Sequence, residues 1–354
     1  MKMKKYFNIS LVVSLVFVNL FVAKAGNPDR AGQAGAQELL INPWARCSGW
    51  AGANSGSVRG IEASFLNVAG TAFTKKTELI FSRTNLLLGS GISSSTFGLS
   101  QRVGASSVIG FGVNSISAGD IMVTTVDLPE GNGSKFSPQF ITLNFSYSKE
   151  FSHSIYGGLN MKVLSEGISN VSAQGVAFDA GIQYVTGKDD QIKFGISLKN
   201  VGPPMKFSGD GLSFRFTNSI VNSSVPFETT AEQRSENFEM PSLVNIGGTY
   251  DFKLSTDHRL TLAATFTSNS FTKDQYAMGL EYGFKTYFML RGGYQFEEGI
   301  TDYATRTTAY TGPCGGLTVE VPLGKNGVTF GLDYSFRATT LFNNTHSFGA
   351  RISL

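Results

Sequence analysis

The stretch Val328–Phe336 reads VTFGLDYSF and shows the pattern that decides the fold. Apolar or aromatic residues occupy every second position, and Thr, Gly, Asp and Ser lie between them. Strict alternation indicates a β-strand with one apolar and one polar face. The same pattern recurs at 155–163, 192–199, 260–266, 276–284, 288–296, 317–323 and 348–354.

Two all-β architectures produce such alternation. A soluble sandwich buries its apolar faces against each other, whereas a transmembrane barrel turns them toward lipid. Segment length favours the barrel, because a tilted strand needs about 9–11 residues to cross a bilayer. Tyr and Phe recur at segment ends, where an aromatic girdle would lie.

Connection lengths also favour the barrel. We predict fourteen strands, at 78–86, 94–103, 106–116, 139–149, 154–164, 174–186, 191–200, 241–252, 258–269, 275–284, 286–297, 315–323, 327–337 and 346–354. Short connections follow even-numbered strands, and long ones follow odd-numbered strands near 117–138, 201–240 and 298–314. Outer-membrane barrels have short periplasmic turns and long external loops. This parity predicts long loops outside and both chain ends on the short-turn side.

The chain divides into three parts. Residues 1–25 have a basic start, an apolar run and Ala23-Lys24-Ala25, which predicts a signal peptide cleaved near Ala25. Residues 26–77 are rich in Gly and Ala and fit no spanning strand, so we expect a hatch or plug inside the lumen of a barrel formed by 78–354. A fourteen-stranded lumen is too wide for wall side chains alone to fill.

Composition excludes several functions. Four of the 29 basic residues lie in the signal, and the remaining 25 face 26 acidic residues, which gives no case for nucleic-acid binding. Two Cys and three His are too few for a disulfide scaffold or a multi-His metal site. His153, His258 and His346 lie far apart, with no catalytic arrangement or nucleotide loop. We therefore predict no enzyme and no cofactor.

Four segments carry a resemblance to a known family. They are Gln37–Arg46 (QELLINPWAR), Ile61–Gly70 (IEASFLNVAG), Leu198–Pro203 (LKNVGP) and Met240–Leu243 (MPSL). Together they resemble the PorV/PorQ family of Bacteroidota outer-membrane proteins. The chain departs from the family at Val68, where the family has Pro, and at Cys47, where it usually has a small residue.

The resemblance implies a FadL-like barrel of fourteen strands with an N-terminal hatch, placed in outer-membrane lipid. It further implies an adaptor in type IX protein secretion or cargo surface attachment, with the translocon or cargo proteins as partners. The alternative is a FadL-like channel for hydrophobic small molecules, for which the partner is an apolar ligand.

Two groups of residues are candidates for function. Glu62, Asn67 and Gly70 lie in the hatch, where they either hold a conformation that a ligand or partner shifts or make ordinary polar packing. The loop 201–240 contributes Pro203, Met205, Phe207, Phe214, Phe216, Phe227 and Phe238. These side chains either pack back on the barrel mouth, form a surface for a protein partner, or line a mouth for apolar ligands.

Charged residues within the strands belong inside, because Lys or Arg facing lipid costs about 2–4 kcal/mol. We assign Lys162, Asp179, Lys193, Lys199, Glu281, Arg291, Glu320, Asp333 and Arg351 to the lumen face. They form either a charged path or neutralising pairs that bind plug to wall. Cys47 and Cys314 could form a disulfide or remain free thiols, and the sequence leaves both open.

Overall fold

A computed structural model describes residues 26–218, 227–324, 327–340 and 342–354. Fourteen antiparallel strands form a closed barrel, which confirms the predicted fold class. The predicted signal peptide, residues 1–25, lies outside the described residues. No helix in the described part of the chain is long and apolar enough to cross a membrane.

The strands follow one another around the barrel in chain order. They are β1 Thr77–Asn85, β2 Ser93–Val103, β3 Ser107–Ser117, β4 Gln139–Ser152, β5 Ile155–Ile168, β6 Val171–Thr186, β7 Ile192–Val201, β8 Leu243–Lys253, β9 His258–Asn269, β10 Gln275–Phe284, β11 Phe288–Glu297, β12 Tyr310–Leu323, β13 Val328–Thr339 and β14 Thr345–Ser353. Each pairs with the next, and β1 pairs with β14 to close the ring.

Alternation along each strand separates the two faces of the wall. On β13, Leu332 is 53% exposed on the outer surface, whereas its neighbour Asp333 is 5% exposed in the lumen. An apolar row crosses three strands on the outside, where Ile182, Ile196 and Ile246 lie in register. An apolar exterior around a polar interior is the arrangement of transmembrane barrels.

The largest departure from the predicted boundaries lies in β12. The predicted strand begins at residue 315 and the observed one at Tyr310, so the preceding loop is 298–309. Gly312 and Pro313 have the composition of a loop but lie in the strand, beside a register shift between Tyr310 and Cys314. Pro lacks an N–H, and a bulge is where a strand accommodates it.

The other two long loops have strands of their own. Loop 118–138 contains a short hairpin, Ile121–Met122 with Lys135–Phe136. Loop 202–242 contains Met205–Ser208, which extends the sheet by pairing with β6 and with Asn237–Phe238. A second hairpin in this loop pairs Ser213–Asn218 with Phe227–Glu232, and we call it the loop hairpin.

Residues 26–76 fill the lumen, and we call this segment the plug. It contains the 3-10 turns Pro28–Arg30, Gln37–Leu40 and Val68–Phe73 and the single-turn helices Ala45–Ser48 (α1) and Ala63–Leu66 (α2). The plug begins at the long-loop end, where the Asn27 N–H donates to the carbonyl of Asn269. It ends at the short-turn end, where it leads into β1. The expectation that both chain ends lie on the short-turn side is therefore wrong at residue 26, where the described structure begins, because the plug traverses the lumen before the first strand.

The outer apolar row yields a test of the membrane face. We expect Ile196→Arg to lower the free energy of unfolding by about 2–4 kcal/mol, because a guanidinium near the middle of β7 would lie in hydrocarbon. Urea unfolding in lipid vesicles measures this. The control Ile196→Leu keeps the volume and should cost less than about 1.5 kcal/mol. Equal stability of the Arg and Leu variants would contradict a lipid-facing wall.

Candidate functional site

Glycines on the inner wall bring the plug into direct contact with the barrel. A Cβ at Gly98 would lie 2.7 Å from the Trp44 ring, and one at Gly279 would lie 2.6 Å from the Trp50 ring. At Gly195 a Cβ would lie 2.9 Å from the Cα of Gly56 on the plug. Real Cβ contacts are essentially never this short, so the plug lies where these residues have no side chain.

Glu62 is the centre of a polar network between plug and wall. Its carboxylate is 2.6 Å from the guanidinium of Arg46 in α1 and 3.5 Å from that of Arg351 on β14. The Cys47 thiol donates to its other oxygen at 3.2 Å. Burial and the neighbouring Glu62 carboxylate raise the pKa of Cys47, so this thiol keeps the proton that it donates. Arg351 also reaches Glu320 at 2.5 Å, which connects the plug to β12.

Asn67 fixes a second point of the plug. Its side-chain amide donates to the carbonyl of Ile182 on β6 at 3.0 Å, and its side-chain oxygen accepts from the Ala69 N–H at the start of a 3-10 turn. Gly70 lies in the same turn, and a Cβ there would lie 2.0 Å from the carbonyl of Val58. The structure thus places the three predicted hatch residues at buried contacts, while their role in opening the hatch remains a proposal.

The predicted lumen-face charges point inward and most are paired. Lys162 lies 2.7 Å from Asp179, and Arg291 lies 2.9 Å from Glu281. Lys193 pairs with Asp251, a residue of β8 that the sequence analysis did not single out. These three pairs neutralise charge but join strands of the wall to one another, whereas the pair of Glu62 with Arg351 is the one that binds plug to wall as predicted.

A cavity of about 320 Å³ lies in the lumen beneath loops 270–274 and 298–309. The plug provides most of its large apolar side chains, and the barrel provides most of its amides and hydroxyls. The apolar lining includes Leu40, Ile41, Phe65, Leu66 and Leu243, and the polar lining includes Lys199, Asn245, Thr267, Gln275, Gln295 and Arg337. We call this space the upper cavity.

A second cavity, of about 380 Å³, lies on the other side of the plug near the short turns. Its lining is strongly charged and includes Arg46, Arg59, Asp190, Lys193, Asp251 and Arg259. We call it the lower cavity. The two cavities have no lining residue in common, and plug residues line both of them. The plug therefore separates an amphiphilic space at the loop end from a charged space at the turn end.

The loop aromatics divide into two groups. Met205 is fully buried and packs with Met240 and Leu39 of the plug, and Phe207 and Phe238 pack against the same cluster. Phe214 and Phe216 on the loop hairpin are 53% and 42% exposed, and Pro203 is exposed as well. The chain backbone places Phe227 opposite Asn218 in the loop hairpin.

Both cysteines are free thiols in the described structure. The Cys314 thiol donates to the carbonyl of Gly49 at 3.3 Å, so β12 contacts the plug there. Within the described ranges, no group of three or more His, Cys, Asp and Glu residues could hold a metal ion.

A carboxyl pair joins plug and wall at the upper end. Glu38 of the plug faces the buried Glu166 of β5, and a proton on Glu38 allows the two carboxyl groups to hydrogen-bond. Burial, and then the Glu166 charge, raise the pKa of Glu38 to about 7. Sequence analysis missed this pair because nothing local connects residues this far apart in the chain.

The contact between the plug and the wall at this end should therefore become less stable as pH rises. A raised pKa means that the seated plug holds the proton, so this stabilisation is complete below about pH 4.5 and is lost as pH rises through about 7. We expect hydrogen-exchange protection of residues 37–42, corrected for the intrinsic rate, to fall roughly tenfold between pH 5 and 8. Glu38→Gln, which mimics the protonated acid, should reduce this dependence. An unchanged pH slope in that variant would contradict the assignment.

Comparisons with known proteins give structural matches alone. No protein-family model matches the chain, and no curated protein matches it. The chain is similar to the toluene transporter TbuX of Ralstonia pickettii, at 14% identity and a TM-score of 0.46 over 83% of this chain and 92% of that one. It is similar to the toluene transporter TodX of Pseudomonas putida, at 11% and 0.47 over 93% and 94%, and to a FadL homologue of Pseudomonas aeruginosa, at 12% and 0.45 over 94% and 97%. Identities and TM-scores this low say nothing about what this chain binds, and the PorV/PorQ resemblance stays a prediction.

Proposed function

We propose that this protein is a plugged outer-membrane channel for small, partly hydrophobic organic molecules. The observation that carries the proposal is the pair of cavities on opposite sides of the plug. A molecule that enters below the long loops meets the plug before it can reach the charged space at the turn end.

The plug is fixed by contacts that can be broken and remade. Its hold on the wall consists of ion pairs and hydrogen bonds, such as Glu62 with Arg351 and Asn67 with Ile182, and of packing against wall glycines. Both cysteines are free, so no disulfide ties the plug to the barrel in the described structure. A displacement that opens the lumen needs no covalent change.

The upper cavity supports a ligand with an apolar part. Leu40, Ile41, Phe65 and Leu66 of the plug contribute to one side of it. Small-molecule sites combine an apolar lining with a few polar groups that fix orientation. A ligand that packs on these side chains would contact the segment that has to move, which couples binding to opening.

Locking the plug tests whether the lumen is the path. The backbone of Ala51 on the plug lies near the Cys314 thiol, so Ala51→Cys introduces a second thiol close to it. We expect oxidation of this variant to reduce flux of a small aromatic solute into proteoliposomes to the level of protein-free vesicles. Reduction with dithiothreitol should restore it.

The matched control is Ala51→Cys combined with Cys314→Ser, which lacks the partner thiol and should be insensitive to oxidation. A gel shift or mass analysis of the oxidised variant establishes that the bond has formed. Flux that continues with the bond formed would contradict a path through the plug.

A second candidate function is the adaptor role that the PorV/PorQ resemblance implies. The loop hairpin favours it, because Phe214 and Phe216 are exposed side by side, with ring centroids 6.1 Å apart. Exposed aromatic side chains are frequent in protein interfaces. This role would use the loop surface and not the lumen.

Replacing both aromatics separates the two functions. If the adaptor role holds, Phe214→Ser with Phe216→Ser should abolish co-purification of translocon or type IX cargo proteins and leave solute flux unchanged. Leu128→Ser, in loop 118–138, removes an exposed apolar side chain elsewhere and serves as the control. Retention of all partners by the double variant would count against the loop hairpin as their surface.

A further inference from the structure

Lys199 is a buried basic side chain for which the described residues supply no counter-ion. The residue is 3% exposed on the inner face of β7. Within the part of the chain that the structure describes, its ammonium has no hydrogen-bond or ion-pair partner. Its contact is the ring of Phe65, whose centroid is 3.9 Å from Nζ.

The nearby carboxylate is already occupied. Asp179 lies 2.7 Å from the ammonium of Lys162, and it accepts hydrogen bonds from the side chain of Asn160 and the backbone N–H of Asn200. Lys162 also donates to the side-chain oxygen of Asn200. Two ammonium groups thus share the surroundings of one carboxylate, and Lys199 is the one left over.

A buried charge without a partner is costly, and the Phe65 ring offsets part of that cost at most. The face of an aromatic ring attracts a cation but supplies no hydrogen-bond acceptor for its N–H groups. An anion in contact with Nζ would provide both. Since Lys199 and Phe65 both line the upper cavity, that space is where such an anion can bind.

The rest of the upper cavity favours an anion as well. Arg337 of β13 lines the cavity from the opposite side of the barrel. Its guanidinium lies 3.7 Å from the centroid of the Tyr310 ring and donates a hydrogen bond to Gln295 at 2.6 Å. Among the described residues that line the cavity, none is acidic. The two charged side chains that line this space, Lys199 and Arg337, are therefore both basic, in contrast to the mixed charges that line the lower cavity.

The lining indicates what the anion carries. Apolar plug residues suit a ring or other apolar body, while amides such as Asn245 and Gln275 suit hydroxyl groups. A volume of about 320 Å³ is near the lower end for small-molecule sites, which favours a compact ligand over a long chain. These features together describe a small aromatic carboxylate that carries a hydroxyl group.

We propose that the upper cavity is a binding site for small hydroxylated aromatic acids, with the carboxylate on Lys199 and the ring against the plug. The assignment rests on the proposed channel function for its purpose, but binding can be measured without transport. The probe is 4-hydroxybenzoate, and its neutral counterpart is 4-hydroxybenzamide, which has nearly the same shape.

Calorimetry on the full chain in detergent at pH 6, where the lysine is protonated and the probe is a carboxylate, tests the site. The protein should bind the acid more tightly than the amide, and Lys199→Gln should reduce that preference by about tenfold or more, because a hydrogen bond to a charged group is lost. Affinity for the amide should hardly change. Lys199→Arg keeps the charge and should retain the preference, which separates loss of charge from misfolding. Lys206→Gln removes an exposed lysine that does not line the upper cavity and should have no effect.

Three results would overturn the proposal: equal binding of acid and amide by the unaltered protein, an unchanged preference in Lys199→Gln, or displacement of 4-hydroxybenzoate by equimolar phosphate or oleate. Phosphate would indicate a general anion site, and oleate a site for long chains. If the acid binds but flux continues after the Ala51–Cys314 disulfide has formed, the channel is refuted and the binding site stands. If the disulfide stops flux but the protein shows no preference for the acid, the binding site is refuted and the channel stands.

Discussion

Close contact between the plug and a wall that lacks side chains at chosen positions is the constraint on which this structure depends. The lumen of a fourteen-stranded barrel is too wide for wall side chains alone to fill, and here the plug occupies it together with them. Gly98, Gly195 and Gly279 give the plug room to touch the strands, and the tryptophans Trp44 and Trp50 occupy that room. The polar bonds of the plug are short because this packing brings its groups to the wall.

The alternation of apolar and polar residues was enough to predict most of the strands and the barrel fold. Lipid outside and a polar lumen inside make opposite demands on successive side chains, so period-two segments reveal strands without knowledge of their neighbours. The start of β12 could not be predicted in this way. Gly312 and Pro313 are typical of loops, and only pairing with the adjacent strand shows that they continue one through a register shift. The path of the plug could not be predicted in this way either, because short turns and single-turn helices have no period to read.

For the candidate site, the sequence predicts which charged side chains face the lumen but not which of them form ion pairs. Alternation correctly turned Lys162, Asp179 and Lys199 into the lumen. The lysine with which Asp179 forms an ion pair depends on the register shift beside Asp179. It also depends on the left-handed backbone of Asn200, with φ of 59°. No feature of the local sequence encodes that geometry. The lack of a counter-ion for Lys199 is therefore visible only in the folded structure. The Glu38 contact with the wall likewise exists only once the plug is in place.

The course of the plug also constrains how the molecule is assembled. The plug enters at the loop end, leaves at the turn end and continues directly into β1, whose free edge is the one that β14 must meet. Both strands of that seam bond to the plug, because the Ile61 N–H donates to Glu78 of β1 and Glu62 pairs with Arg351 of β14. A misplaced plug would therefore leave Glu78 and Arg351 without these partners at the junction where the cylinder closes.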